Sequence, residues 1–164
     1  MKDFDSLSQK EILALAISLE EEDERIYSDF GESLRENFPG TAQVFEEMRQ
    51  EEIGHRRRLI ELYKQKFGEH IPLIRRQDVR GFVQRKPIWL NTPLRLEQIR
   101  GQVSAMEVET RRFYERAAAR AQDASIRQLL DDLAAEEATH SERFAPKDCR
   151  VQAALRQCGY LVGR

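Results

Sequence analysis

Two short runs in the sequence place a histidine three residues after a glutamate: Glu52-Ile53-Gly54-His55 and Glu137-Ala138-Thr139-His140. On a helix, positions i and i+3 share one face, so each run presents a carboxylate and an imidazole side by side. Carboxylate and imidazole together suit divalent first-row metals such as Fe, Mn and Zn. Glutamate fills 20 of 164 positions. Any histidine therefore has a roughly 12% chance of a glutamate three before it, and two matches among three histidines arise by luck in roughly 4% of cases. The third histidine, His70, has no such partner and reads as a surface residue between helices.

The elements that must hold these runs are helices. Gly and Pro cluster at a few breaks, namely Pro39-Gly40, Gly68, the stretch from Pro72 to Pro93, and Pro146. The segments between are rich in Glu, Arg, Leu and Ala, which favour helix over strand. Ser8 with Glu11 forms a capping box that starts a first helix near residue 9, running to about Asn37. A second helix is expected from about Thr41 to Gly68. Thr92 followed by Pro93 is a start signal for a third, ending near Ala121. Asp123 caps a fourth that runs to about Ala145. The first-to-second and third-to-fourth links are a few residues long, so each pair is an antiparallel hairpin. Residues 69–92 are long enough to cross the whole bundle. Within them, residues 78–86 are expected to hold an extra short helix, and Trp89 to pack that crossover onto the bundle. The expected fold is all-α, a four-helix bundle of two hairpins with one long crossover. Residues 147–164 are left as a C-terminal tail with room for a short helix.

Composition sets outer limits. The chain of 164 residues and 19.2 kDa makes one domain, with 40% hydrophobic and 34% charged residues. A net charge of −2 argues against nucleic acid as a partner. Cys149 and Cys158 are the two cysteines and form no CxxC. No apolar run reaches the ~18–20 residues of a membrane span, and MKDFDSLSQKE lacks a signal peptide's apolar stretch. The reading is a soluble, cytoplasmic domain.

The inward faces then show why these helices belong together. The apolar row Leu13, Ala16, Tyr27, Phe30, Leu34 also carries Glu20 and Asp23. The second helix aligns Phe45, Met48, Glu52, His55, Leu59 and Leu62, and the third aligns Val103, Met106, Glu107, Thr110, Tyr114 and Ala117. The fourth aligns Ile126, Leu130, Leu133, Glu137, His140 and Phe144. Each helix thus buries a carboxylate near its middle. Four such charges repel unless protons or cations neutralise them. One Glu from each of two helices and a Glu-x-x-His from each of the others is the way bundles hold a pair of metal ions. A repeat supports it: Glu20 and Tyr27 share the spacing of Glu107 and Tyr114, so each hairpin carries half a site. Glu21, Glu22, Glu24 and the run Arg56 to Arg58 read as solvated. Tyr27 and Tyr114 read as packed residues with a hydrogen bond or, less simply, as redox residues.

LEEEDERIY with EEIGH, then MEVETRRFY with EEATH, resembles the ferritin-like superfamily and within it rubrerythrin. The stretch ALAISLEEEDERIYSDF is similar to the ferritin-like domain of the erythrin–vacuolar iron transporter group, which includes membrane-bound ferritin A. The resemblance covers residues 10–145 of a bundle domain spanning 1–146. It implies that Glu20, Glu52, His55, Glu107, Glu137 and His140 ligate two irons, with Glu52 and Glu137 bridging, and that the same six form the catalytic centre. Zn or Mn would fit the same ligands, and Asp23 is a spare inward carboxylate that extends the set. Tyr27 and Tyr114 would support the ligands from behind. The implied activity is oxidation of Fe(II) by peroxide or O2, as peroxidase or ferroxidase in iron and oxidative-stress handling. The alternative is a non-enzymatic iron-sensing module that regulates an iron transporter.

Two departures carry expectations of their own. Rubrerythrin has a second Glu one turn after the ligand of the third helix, where this chain has Thr110. Rubrerythrin also carries a four-cysteine iron centre, for which this chain has too few cysteines, so an external electron donor is expected. A homodimer is the family expectation. A transporter domain would belong to a longer parent protein, which would place this one on the cytosolic face of a membrane.

Overall fold

The computed structural model describes residues 1–81 and 95–143. Four long helices dominate them: α1 (Gln9–Leu34), α2 (Pro39–Phe67), α3 (Leu96–Arg120) and α4 (Ala124–Arg143). They form the all-α bundle expected from the sequence. The caps explain where the helices begin. The Ser8 hydroxyl accepts from the Glu11 N–H at 3.3 Å while Glu11 Oε2 accepts from the Ser8 N–H at 2.9 Å, so both orphan donors are satisfied. Asp123 Oδ1 accepts from the backbone N–H of Ser125 and Ile126, starting α4. The Pro39-Gly40 pair is the first turn of α2 rather than a break before it. A first-turn N–H has no helical partner, so proline loses nothing there. Gly68, with φ at 86°, closes the other end of α2.

Side-chain hydrogen bonds fix the directions. Tyr27 meets Glu107 while Tyr114 meets Glu20, so α1 and α3 run antiparallel. Arg143 meets Glu51 while Lys66 meets Asp123, so α2 and α4 do too. With antiparallel hairpins on either side, α2 and α3 must point the same way. Their connection therefore has to travel the length of the bundle, as its length suggested.

The extra short helix expected over 78–86 is not seen in its described part. A single 3-10 turn at Arg76–Asp78 is followed by a two-residue strand, β2 (Val79–Arg80), which pairs parallel to β1 (Lys2–Asp3) at the N-terminus. The Asp78 carboxylate closes the turn on the Arg75 N–H at 2.9 Å, and Gly81 at φ 76° leaves the helical region. The third helix begins at Leu96 with an extended Arg95 as its N-cap, later than the Thr92-Pro93 signal suggested. Residues 82–86, Trp89, Thr92, Pro93, Phe144 and the tail lie outside the described residues.

This small pairing matters for the core. It lays Phe4, Leu7, Ile74 and Val79 over the start of α1, whose residues Ile12 to Ala16 are all buried rather than only one stripe of them. Arg120 clamps the same segment, donating to the Phe4 carbonyl and, at 2.6 and 3.3 Å, to those of Asp5 and Leu7. The Arg116 guanidinium sits 4.2 Å from the Phe4 ring centroid.

The buried apolar side chains fall into two clusters. One gathers the start of α1 with Leu59, Tyr63, Phe113, Tyr114, Ile126, Leu130 and Leu133. The other holds Ile26, Tyr27, Phe30, Phe45, Met48, Val103 and Met106. The polar layer lies between them: Glu20 falls between Leu19 and Ile26, and Glu107 between Met106 and Phe113.

The capping box provides a first test. Ser8→Ala removes the acceptor for the Glu11 N–H and should cost about 1 kcal/mol. For a chain of this size the melting temperature should drop by about 2–4 °C. Calorimetry on the two proteins decides it, and an unchanged melting temperature would show that α1 does not depend on this cap.

Candidate metal centre

All six sequence-predicted ligands reach the same layer. Glu20 comes from α1, Glu52 and His55 from α2, Glu107 from α3, and Glu137 and His140 from α4; none is more than 3% exposed. Their donor atoms form two overlapping groups. Glu20, Glu52, His55 and Glu137 make one, and Glu52, Glu107, Glu137 and His140 the other, with the donor atoms of each group within 4.8 Å of one another. Glu52 and Glu137 belong to both. They are the pair for which the family resemblance implied a bridging role.

The two imidazoles are arranged alike. His55 Nδ1 lies 3.2 Å from Glu52, 3.3 Å from Glu137 and 3.4 Å from Glu20. His140 Nδ1 lies 3.4 Å from Glu107, 3.6 Å from Glu52 and 3.7 Å from Glu137. The rings stack with centroids 5.8 Å apart and planes 10° apart. Each Nδ1 thus faces the carboxylates of the two ligand groups, and each Nε2 points away from them.

Around this core stand residues whose roles were partly legible. Tyr27 donates to Glu107 and Tyr114 to Glu20, each reaching across from α1 to α3 or back. Asp23 is buried too, but it lies outside both ligand groups and accepts from Thr110 at 3.1 Å. Thr110 thus contacts the spare carboxylate at the position where rubrerythrin has a further Glu. His70 is exposed, as expected, and its carbonyl accepts from Tyr63 at 2.9 Å.

Two residues escaped the sequence reading. Glu136 Oε2 lies 2.9 Å from His55 Nε2, and Glu51 Oε2 pairs with His140 Nε2. The signal was the doubled glutamate in EEIGH and EEATH, whose first member went unused. The run Arg56 to Arg58, expected as a solvated face, is mostly engaged. Arg56 pairs with Glu24 at 3.0 Å and Arg58 with Glu136 at 2.7 Å, while Arg57 points to solvent beside Glu61. Glu22, also read as solvated, is held by Arg76 at 2.5 Å.

The electrostatics describe a site that protons neutralise in the absence of metal. Burial and the charges of Glu20 and Glu137 push the Glu52 carboxyl well above its ordinary range. Burial also lifts Glu107 to about 7, with Glu137 adding to the rise against the pull of His140. Glu20 moves the other way: burial would raise it, but attraction to His55 and hydrogen bonding with Glu52 and Tyr114 outweigh that. Burial alone would lower both imidazoles, yet the facing carboxylates raise His55 strongly and His140 to about 10. Burial, with the Arg58 and His55 contacts prevailing over it, leaves Glu136 below its usual range.

The donor set fits a pair of divalent metals. Glu20 Oε2, Glu52 Oε1, Glu107 Oε2, Glu137 Oε1 and His140 Nδ1 are buried without any hydrogen bond, a costly condition for polar atoms. All five belong to the two ligand groups. Oxygen-rich ligands with one imidazole per group suit Fe, Mn or Zn.

Known proteins share the family and the fold. The sequence model of the family described as Rubrerythrin matches residues 11–146. No curated protein matches the chain. Among solved structures, a hypothetical protein from Pyrococcus furiosus is similar with a TM-score of 0.70 and 19% identity, over 86% of this chain and 88% of its own. An uncharacterized conserved protein from Magnetospirillum magnetotacticum is similar with a TM-score of 0.64 and 23% identity, over 84% of this chain and 91% of its own. At such identities the two structures establish the shared fold.

The same electrostatics set a pH dependence. A histidine whose folded pKa is raised stabilises the fold fully below its ordinary 6.5, and that contribution fades as pH climbs toward about 10 for His140. Glu107, raised to about 7, acts in the same direction between its ordinary 4.5 and 7. Metal-free protein should therefore lose melting temperature between pH 6 and 9. Added Fe(II) under anaerobic conditions, or Zn(II), should raise the melting temperature by an increment that grows over that window, because ligands must shed protons to bind. Thermal scans with and without metal at several pH values test both parts. A metal-free melting curve that rises with pH would contradict the assignment.

Proposed function

The chain belongs to the rubrerythrin family, and on that premise we propose that it is a di-iron carboxylate protein that oxidises Fe(II) with peroxide or O2, as a peroxidase or ferroxidase. The observation that carries the reading is the pair of overlapping buried ligand groups sharing Glu52 and Glu137. A structural ion-pair network would need no such sharing and would leave few orphaned oxygens.

The chain's own residues divide the work. Glu20 with His55 would hold one iron and Glu107 with His140 the other, while Glu52 and Glu137 serve both. A pair of irons so held would supply the paired one-electron changes that reduction of an O–O bond requires. Tyr27 and Tyr114 fix one oxygen of Glu107 and of Glu20, which leaves Oε2 of each free to ligate. The apolar clusters above and below keep bulk water from the layer, which strengthens every electrostatic contact within it. Glu52, Glu107 and the two imidazoles hold protons more tightly than ordinary groups of their kind, and binding of metal would release those they carry.

Electrons for repeated turnover would come from a donor outside this chain, since its two cysteines cannot build a four-thiolate iron centre. Among the described residues no helix is long and apolar enough to cross a membrane. The stretch ALAISLEEEDERIYSDF supports a place beside the erythrin domains of the vacuolar iron transporter group, with iron as the cargo in common.

The decisive variant is Glu107→Ala. It removes the carboxylate that α3 contributes to the ligand group of Glu52, Glu137 and His140 and, because Ala favours helix, should leave the bundle folded. Iron per chain should fall, and rapid oxidation of the Fe(II) form should be lost. Glu115→Ala, on the exposed face of the same helix, should keep both. Stopped-flow mixing with peroxide and with O2 gives the rates and identifies the preferred oxidant, with two Fe(II) consumed per peroxide. Unchanged iron content and rate in the Glu107 variant would refute the site.

A further inference from the structure

The part of the cluster left unused by the ligand assignment is its outer edge, where α2 meets α4. There the same set of four residues recurs at the same spacing: Glu51, Glu52, His55, Arg58 on one helix and Glu136, Glu137, His140, Arg143 on the other. A helix turns about 100° per residue, so the second glutamate of each doublet faces the core while the first is turned toward the neighbouring helix. The first glutamate, the histidine four later and the arginine seven later share that boundary face.

Because α2 and α4 are antiparallel, the two faces grip each other reciprocally. Glu136 on α4 uses Oε2 for His55 Nε2 at 2.9 Å and Oε1 for Arg58 at 2.7 Å, both on α2. Glu51 on α2 uses Oε2 for His140 Nε2 and Oε1 for Arg143 at 2.9 Å, both on α4. The carboxylate and ring atoms pair identically in the two halves, with Arg58 using Nη1 where Arg143 uses Nη2. Four long side chains with many rotamers reproduce it twice, and both histidines are at most 3% exposed.

We propose that Glu51 and Glu136 are positioning residues that hold the Nε2 proton of His140 and His55, so that Nδ1 of each ring is the ligating atom, and that Arg143 and Arg58 set the angle at which those carboxylates meet the rings. The reasoning rests on the metal-centre reading and on imidazole chemistry. A neutral ring has one N–H and one lone pair, and only the nitrogen without hydrogen binds metal. An ionised carboxylate is an acceptor only, so it selects the tautomer with hydrogen on the nitrogen it faces. Here it faces Nε2, which directs the lone pair at Nδ1 into the carboxylate layer. The anion also raises the basicity of the ring toward metal. Each arginine takes up the other oxygen and so orients the carboxylate, which is still part-exposed: 43% for Glu136 and 35% for Glu51. Because the partners lie on opposite helices, ligand orientation is tied to the α2–α4 contact.

The test uses Co(II) and Zn(II) as probes with the intact chain. E51A and E136A should each weaken Co(II) binding by roughly 10–100-fold, the usual effect of losing such a partner. E51Q and E136Q, which keep an acceptor without the charge, should recover part of the loss. In the Zn(II) form, nitrogen-15 NMR of labelled histidine should show a protonated Nε2 and a metal-bound Nδ1 for both rings. The Nε2–H signal of His55 should broaden or vanish in E136A, and that of His140 in E51A. Arg57→Ala, on the exposed flank, should change neither affinity nor spectrum. A role confined to holding the helices together would lower the melting temperature of E136A while leaving the Co(II) affinity and the imidazole spectrum as in the parent. That outcome overturns the inference alone. A parent protein that binds neither Co(II) nor Zn(II) overturns the metal-centre reading along with it.

Discussion

Placing an ionised carboxylate in a protein interior costs several kcal/mol unless something of opposite charge or a proton meets it. This bundle places four of them at one level, with less than 3% of any exposed. That requirement organises everything near the layer. Two histidines sit inside the ring of carboxylates with raised pKa values, and Glu52 and Glu107 hold protons more tightly than ordinary glutamates. Tyr27 and Tyr114 cap one oxygen each of Glu107 and Glu20. The oxygens left over point at one another. The apolar core is divided in two because a polar layer of this kind runs through its middle.

Such a layer is poor for stability and good for binding. Packed apolar side chains in the same volume would serve the fold at least as well, because a buried ion network recovers at best part of its desolvation cost. A pair of divalent cations would change the sum, since each would replace protons and satisfy several oxygens at once. The apolar clusters on either side then act as insulation, since they lower the local dielectric and keep solvent out. The N-terminal segment clamped by Arg120 completes that insulation over the start of α1.

The near two-fold arrangement comes from the repeated hairpin. Both hairpins carry Glu and Tyr seven apart, followed by a doubled Glu, a His and an Arg at matching positions. Packing two copies antiparallel makes each tyrosine find the other copy's glutamate and each outer carboxylate the other copy's histidine. Departures from symmetry mark where the two halves differ in sequence and contacts. Asp23 on α1 has Thr110 as its counterpart on α3, and the two hydrogen-bond each other. In its described part the crossover meets the first hairpin through Arg76 to Glu22, and its Gly81 carbonyl accepts from Arg116 of the second.

Much of this was written in local spacing. A Glu-x-x-His run, an apolar row and a Ser-x-x-Glu cap are all consequences of 3.6 residues per turn, so Glu20, Glu52, His55, Glu107, Glu137, His140 and the start of α1 were legible without coordinates. The bundle topology followed from loop lengths, which chain geometry bounds. Contacts between helices were not legible in the same way. Whether Arg58 meets water or Glu136, whether Glu51 reaches His140, and whether residues 79–80 coil or pair with the N-terminus depend on which faces meet across the bundle. In the described part of the expected helix, residues 79–80 pair instead with a partner 77 residues away. Local periodicity determines what a helix presents, while the packing of one helix against another decides what each presented group will touch.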